Sequence, residues 1–280
     1  MSLIKIENRC NQSCVFCSFE PERQRGKIEV TSIFDDIKRS KEKLVQISGG
    51  EPFLAKPAVL LEILLCCLKN KKKVEIQTNA SLIEGYDAGA LKKIARIVKA
   101  SGGYFNVNIS AANPKLDRKI TQRDFFYRKI SGVNLLLKLE VAVRITHIIC
   151  ELNYRYLPSF ARFVKEKMGP RVGWVQFSFV KAMGKARTRK IVPKYSSVSG
   201  FLSKACYILE RSGVEFEIDH IPPCMLGRYY GYHVDIAKMK LKIPGPQERE
   251  KTYVKKCFKC KYANICYGPR KDYLKIHKVF

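Results

Sequence analysis

Acidic residues are scarce in this 280-residue chain: 25 Asp and Glu stand against 53 Lys and Arg, a formal net charge of +28. Heat-adapted proteins add Lys and Glu together to build ion-pair networks. Here the acids are too few to pair with the bases, so thermal adaptation does not explain the imbalance. An anionic partner does: a nucleic acid, an acidic peptide or a phosphorylated small molecule. Histidine is rarer still, four residues too scattered to form a metal site. The longest apolar stretch, Ala58 to Leu68, is broken by Glu62 and falls short of the about 20 residues that span a bilayer. The N-terminus alternates like a strand and lacks the apolar segment of a secretory signal. A soluble, cytoplasmic protein without a membrane partner is expected.

Cysteine, by contrast, is plentiful. Seven of the 11 fall into two groups: Cys10, Cys14 and Cys17, then Cys224, Cys257, Cys260 and Cys266. In a chain with no export signal such spacings indicate metal or redox chemistry, not a disulfide framework. Cys66, Cys67, Cys150 and Cys206 lie in apolar segments and read as small buried hydrophobes.

Apolar, β-branched runs at 3–7, 44–48, 74–78, 105–110, 139–149 and 173–180 alternate with segments of helical period at 33–43, 58–70, 90–101, 126–138 and 157–167. Repeated βαβ units predict a parallel sheet. Six strands fall short of the eight that close a barrel, so the expected fold class is α/β, a partial (β/α)6 TIM-like barrel open on one side. A basic stretch from Lys181 to Lys194 reads as a boundary. The expected division is a core over 1–183, a basic linker over 184–200 and a small C-terminal unit over 201–280. That last unit holds a helix near 197–212 and a short strand near 214–218. Its remainder is poor in aliphatic runs, where a metal centre can substitute for a core.

Three thiolates on the short loop after the first strand can hold three irons of a cubane cluster, leaving one iron open for chemistry. Structural zinc would need a fourth ligand, and no Cys or His follows until Cys66. The Cys-x3-Cys-x2-Cys loop, with Phe16 before its last cysteine, resembles the signature of radical S-adenosylmethionine (radical SAM) enzymes. Ser48-Gly49-Gly50-Glu51-Pro52 is similar to the family's Gly-Gly-Glu-Pro element. Thr78-Asn79-Ala80 is similar to its Thr-Asn-Gly, with Ala80 where glycine is usual. Ser110 corresponds to a strand-end serine, and Arg144 lies on the fifth strand. The resemblance covers about residues 1–183.

That resemblance implies a [4Fe–4S] cluster on Cys10, Cys14 and Cys17, with S-adenosylmethionine (SAM) on its open iron. One electron would cleave the SAM sulfonium, giving methionine and a 5′-deoxyadenosyl radical that abstracts a substrate hydrogen. Glu51 would meet the SAM ammonium, beside Ser48, Gly49, Gly50 and Pro52. Asn79, Ser110 and Arg144 would serve the ribose or carboxylate, and Phe16 the adenine. An electron donor of the ferredoxin or flavodoxin kind is implied as partner. The glycines lack Cβ, so backbone can approach a ligand closely there.

Cys224, followed much later by Cys257-x2-Cys260-x5-Cys266, supplies four thiolates, a complete set for zinc or for an auxiliary cluster. The arrangement resembles the C-terminal SPASM and twitch extensions of radical SAM enzymes, though with fewer cysteines than full SPASM. A second [4Fe–4S] cluster is the expectation and zinc the alternative. Lys255, Lys256, Lys259 and Lys261 would offset its negative charge. The substrate expected is an anionic macromolecule, a peptide or protein slightly ahead of RNA. An alternative of another class is a non-catalytic, metal-bound RNA-binding protein.

Overall fold

The structure, a computed structural model, describes residues 2–18, 28–243 and 245–278. Seven parallel strands form one sheet in the order of the chain: β1 (Ser2–Glu7), β2 (Leu44–Gly49), β3 (Lys73–Thr78), β4 (Tyr104–Asn108), β5 (Val143–Ile149), β6 (Trp174–Phe179) and β7 (Phe216–Asp219). Among the described residues no pairing joins β7 to β1, so the barrel is open. Helices α1 (Val30–Arg39), α2 (Pro57–Lys69), α3 (Ala88–Ala100), α4 (Pro114–Thr121), α5 (Phe126–Lys138), α6 (Leu157–Lys167) and α7 (Tyr195–Glu210) lie between the strands. Successive strand residues point to opposite faces. One set, including Val45, Ile47, Val74, Ile76, Phe105, Val107, Val143, Ile145, Val175 and Phe177, is fully buried in the main core. Parallel strands stable under a helical layer require this apolar set.

The other set is polar and lines the concave face. Register places Gln46 beside Glu75, Glu75 beside Tyr104, Asn106 beside Arg144, and Gln176 beside Glu217. Glu75 is the hub. Its carboxylate accepts from Gln46 Nε2, Tyr104 Oη, Asn106 Nδ2 and Arg144 Nη2, each at 2.7 Å, and from Gln77 Nε2 at 3.1 Å. Burial alone would push this carboxyl up, but the Arg144 guanidinium and the donors around it hold it below its ordinary value. Arg144 also lies 3.6 Å from Glu217 and faces the rings of Tyr104 and Trp174.

The sheet runs one strand beyond the six expected. The boundary anticipated at residue 201 falls inside α7, and the anticipated linker contains the first turn of that helix. Val198, Leu202, Ala205, Cys206 and Leu209 are buried on α7, which packs against α6 and leads into β7. The basic stretch is therefore the β6–α7 connection, and residues 195–219 form a seventh helix–strand unit. Beyond β7 the chain is mostly short 3-10 turns with helices α8 (Val234–Lys240), α9 (Pro246–Glu250) and α10 (Lys271–Ile276). This part is stitched to the barrel by polar and aromatic contacts. Asp272 accepts from the Ala182 amide at 2.8 Å, and the rings of Tyr195 and Tyr273 stack at 3.8 Å. Among the described residues, no helix is long and apolar enough to cross a membrane.

Breaking a buried ion pair from one side leaves a charge without compensation, at a cost of about 3–5 kcal/mol. Glu75→Ala is therefore expected to lower unfolding free energy by an amount of that order, measured by urea denaturation. Adding Arg144→Met should recover part of the loss, and an additive double variant would show that the two side chains do not depend on each other.

Candidate functional site

The three N-terminal cysteines lie on the loop after β1, at the C-terminal edge of the sheet, where parallel barrels collect reactive groups. Cys10 is exposed, and Cys14 and Cys17 are half-buried. Four neighbouring segments fix the loop. From the β2 end, the amides of Gly50 and Glu51 donate to the carbonyls of Glu7 and Arg9 at 2.7 and 2.9 Å. The close approach excludes a side chain: a Cβ on Gly50 would stand 2.0 Å from the Arg9 oxygen, and one on Gly49 would stand 2.2 Å from the Glu7 oxygen. From α4, the carbonyls of Thr121 and Ile120 accept from Ser13 and Val15 at 3.0 and 2.9 Å. From the β3 end, Asn79 Nδ2 donates to Asn11 Oδ1 at 2.9 Å, and Asn11 Nδ2 donates to Ser81 at 2.8 Å. From the β6 end, Lys185 reaches Ser13 Oγ at 2.6 Å, while its amide donates to the Cys17 carbonyl at 3.2 Å.

Glu51 ties two of these segments together. Its carboxylate is buried and accepts from Thr78 Oγ1 at 2.6 Å, Asn79 N at 2.8 Å and Phe53 N at 3.2 Å. Desolvation outweighs those bonds and pushes its pKa up to about 6. The side chain expected to meet an incoming ammonium is thus already committed to holding the strand-end loops. Ala80 adopts a left-handed φ of +58°, a conformation that costs an L-residue roughly 1–2 kcal/mol.

The remaining expected residues divide. Phe16, Cys17, Ser48 and Gly49 line one cavity of about 500 Å³, together with Gln77, Ser178 and Lys181. Pro52 begins a buried 3-10 turn behind it. Ser110 is buried two residues beyond β4, and its hydroxyl accepts from the Ile148 amide at 3.2 Å. Arg144 is not brought to the cysteines. It is the second residue of β5, remote from that strand's C-terminal end, and its guanidinium is engaged by Glu75. An arginine on an alternating strand reads alike from sequence whether it serves a ligand or a carboxylate on the neighbouring strand.

Asn11, Ser13 and Lys185 escaped sequence reading because their partners lie up to 172 positions away.

Two thiols of this loop, Cys10 and Cys14, are held protonated by their surroundings. Burial pushes Cys14 up to about 12 and raises Cys10 as well. A cationic centre shared by the three sulfurs reverses that balance, since coordinating thiols are deprotonated outright. Three soft sulfur donors on one short loop, beside a cavity lined by polar and apolar groups, fit an iron–sulfur cubane with one iron left for a ligand in that cavity.

A second site is formed by the other group. Cys224, Cys257, Cys260 and Cys266 all line one cavity of about 280 Å³, which Met225, Tyr253 and Pro269 help to close. Cys257 and Cys266 are buried, Cys260 is half-buried and Cys224 is exposed. The Gly268 amide donates to Cys266 Sγ at 3.2 Å. Tyr229 and Tyr232 pack on Phe216.

Fold and thiol loop together define an open α/β barrel with its reactive groups at the strand ends. A family model of the radical SAM superfamily matches residues 4–164, more than half of the chain, and the chain belongs to that superfamily. Its enzymes use SAM and a [4Fe–4S] cluster. Among curated relatives, the chain is 24% identical over 194 residues to GTP 3′,8-cyclase of Vibrio vulnificus, covering 64% of this chain and 53% of that protein. It is 27% identical over 175 residues to a probable GTP 3′,8-cyclase of Methanothermobacter thermautotrophicus, covering 60% and 54%. The chain thus spans about half the length of these relatives. In fold it is similar to Streptococcus suis SuiB bound to SAM, with a TM-score of 0.67, 17% identity and coverage of 97% and 73%. It is also similar to anSMEcpe with bound AdoMet, with a TM-score of 0.69, 15% identity and coverage of 97% and 89%.

An acid whose folded pKa is raised is more stable folded when protonated, so its contribution is lost as pH climbs through the folded value. Wild-type protein, with Glu51 at about 6, should lose on the order of 2 kcal/mol relative to Glu51→Gln between pH 4.5 and 7. Denaturation curves of both proteins across that range test this; a pH-independent difference would refute the assignment.

Proposed function

We propose that the chain reductively cleaves SAM at a [4Fe–4S] cluster on Cys10, Cys14 and Cys17 and modifies a peptide or protein, assisted by a second, four-cysteine [4Fe–4S] cluster. When bound, the first cluster and SAM supply a carbon-centred radical able to take hydrogen from an unactivated bond. The chain's own residues do the rest. Gly49 and Ser48 border the cavity, Glu51 and Asn79 tie the strand-end loops together, and Phe16 and Phe179 present apolar surface that would keep water from the reacting atoms.

The observation that carries the reading is the ring of four cysteines around one C-terminal cavity. Four thiolates are a complete ligand set for a mononuclear zinc or for a cubane. Four thiols standing around a void suit a cubane, and four protein ligands leave it no free corner for a substrate. Such a cluster serves electron transfer or structure, and the substrate meets the barrel cavity alone.

Solved structures of similar fold support a peptide substrate: SuiB was solved with the precursor peptide SuiA, and anSMEcpe with AdoMet and the Cp18Cys peptide. The expected division of labour is a barrel core, a β6–α7 connection and a C-terminal cluster unit, with an electron donor of the ferredoxin or flavodoxin kind. The curated relatives make a nucleoside triphosphate the second reading, and the +28 charge makes RNA a third.

Anaerobically reconstituted protein should hold about eight iron and eight sulfide per chain, from two cubanes. Cys257→Ala/Cys260→Ala should retain about half of the iron while still releasing 5′-deoxyadenosine. Cys14→Ala should release none under dithionite, and persistent cleavage in that variant would defeat the assignment. GTP should survive incubation with the reduced enzyme. Binding to bulk RNA should be weak and without the steep salt dependence of multiple phosphate contacts.

A further inference from the structure

Beneath the N-terminal cysteine loop lies a charge pair that none of the strand-end motifs includes. Lys129 on α5 and Asp117 on α4 meet at 2.7 Å, with side chains 0% and 1% exposed. Neither faces solvent, and the second carboxylate oxygen of Asp117 is buried without a hydrogen-bond partner. The pair sits where the loop is fastened. Asp117 is one helical turn before Thr121, whose hydroxyl bonds back to the Asp117 carbonyl at 2.9 Å. The carbonyls of Thr121 and Ile120 hold the amides on either side of Cys14. Val15 and Phe16 pack on Leu116 and Ile120 of the same helix. The pair therefore lies one helical turn from the carbonyls that flank Cys14.

We infer that Lys129, oriented by Asp117, is a positioning residue that sets the reduction potential of the cluster held by Cys10, Cys14 and Cys17. Reduction transfers one electron from a low-potential donor to the cluster and makes it one unit more negative. A fixed cation buried nearby stabilises that added charge, because low-dielectric surroundings leave the field unscreened. The potential is therefore higher than the thiolate set alone would give. Burying a lysine is costly unless it is paired, and Asp117 offsets that cost at 2.7 Å.

The inference rests on the assignment of a cubane to these cysteines, and one experiment separates the two. Wild-type protein, Asp117→Asn, Lys129→Arg and the double variant Asp117→Asn/Lys129→Met are reconstituted and titrated with dithionite, the reduced cluster being followed by its EPR signal. Cys257→Ala/Cys260→Ala serves as the background, so only the N-terminal site is read. The comparison between Asp117→Asn and the double variant removes only the cation, with an amide at 117 in both. Its midpoint should fall by about 59 mV, equivalent to a tenfold change in the reduced-to-oxidised ratio for a one-electron couple. Asp117→Asn alone should lie above wild type, and Lys129→Arg should stay near it. The double variant keeps a neutral, apolar-compatible pair in the core, a replacement that buried ion pairs commonly tolerate. Normal cubane signals with midpoints that do not separate would overturn the inference; absence of any cubane signal in the background protein would overturn the assignment beneath it.

Discussion

Lining the inside of an open parallel sheet with polar side chains obliges each of them to find a partner, because buried groups left unpaired cost more than their bonds return. This obligation organises the barrel from floor to rim. At the floor, one carboxylate, Glu75, gathers residues from β2, β3, β4 and β5. At the rim, another, Glu51, joins the end of β2 to the end of β3. Beneath the cysteine loop, a third, Asp117, holds Lys129. The apolar face fixes where the sheet lies against its helices. The polar face fixes how the strands stand relative to one another, and hence where their ends converge.

Convergence of those ends is what turns three thiols into a site. Nothing within Cys10-Asn11-Gln12-Ser13-Cys14-Val15-Phe16-Cys17 shapes the loop by itself beyond short-range contacts such as the Cys17 amide to the Cys14 carbonyl. Its shape is imposed by backbone groups of Gly50, Glu51, Ile120 and Thr121 and by Lys185. The second site is built differently. Its four cysteines come from turns that carry few buried aliphatics, and they surround an apolar cavity. The first is a loop held by a barrel, and the second is a tail arranged around a void.

Much of this was legible in the sequence because it depends on local pattern. Helices α5 and α6 begin and end where their periodicity does, and the strand-end motifs announce themselves by residue type. What stayed hidden depends on distant pairing. Helix α4 carries only two buried aliphatics, Leu116 and Ile120, too few to show a period. Lys129 looks like any helix-surface cation until α4 brings Asp117 against it. Arg144 reads from sequence as a ligand group because its residue type suits a carboxylate, and the carboxylate it meets belongs to β3. The seventh strand is four residues long, and its helix follows a basic stretch that resembled a linker; only the sheet register shows that the barrel continues through it.

The contact between Lys185 and Ser13 has a consequence for how the molecule is made. During translation the three thiols leave the ribosome before the segments that shape their loop, which follow at residues 120–121 and at 185. Until that later stretch is synthesised, the loop lacks those contacts. Shaping of the loop is therefore a late event in folding, coupled to closure of contacts that span most of the barrel.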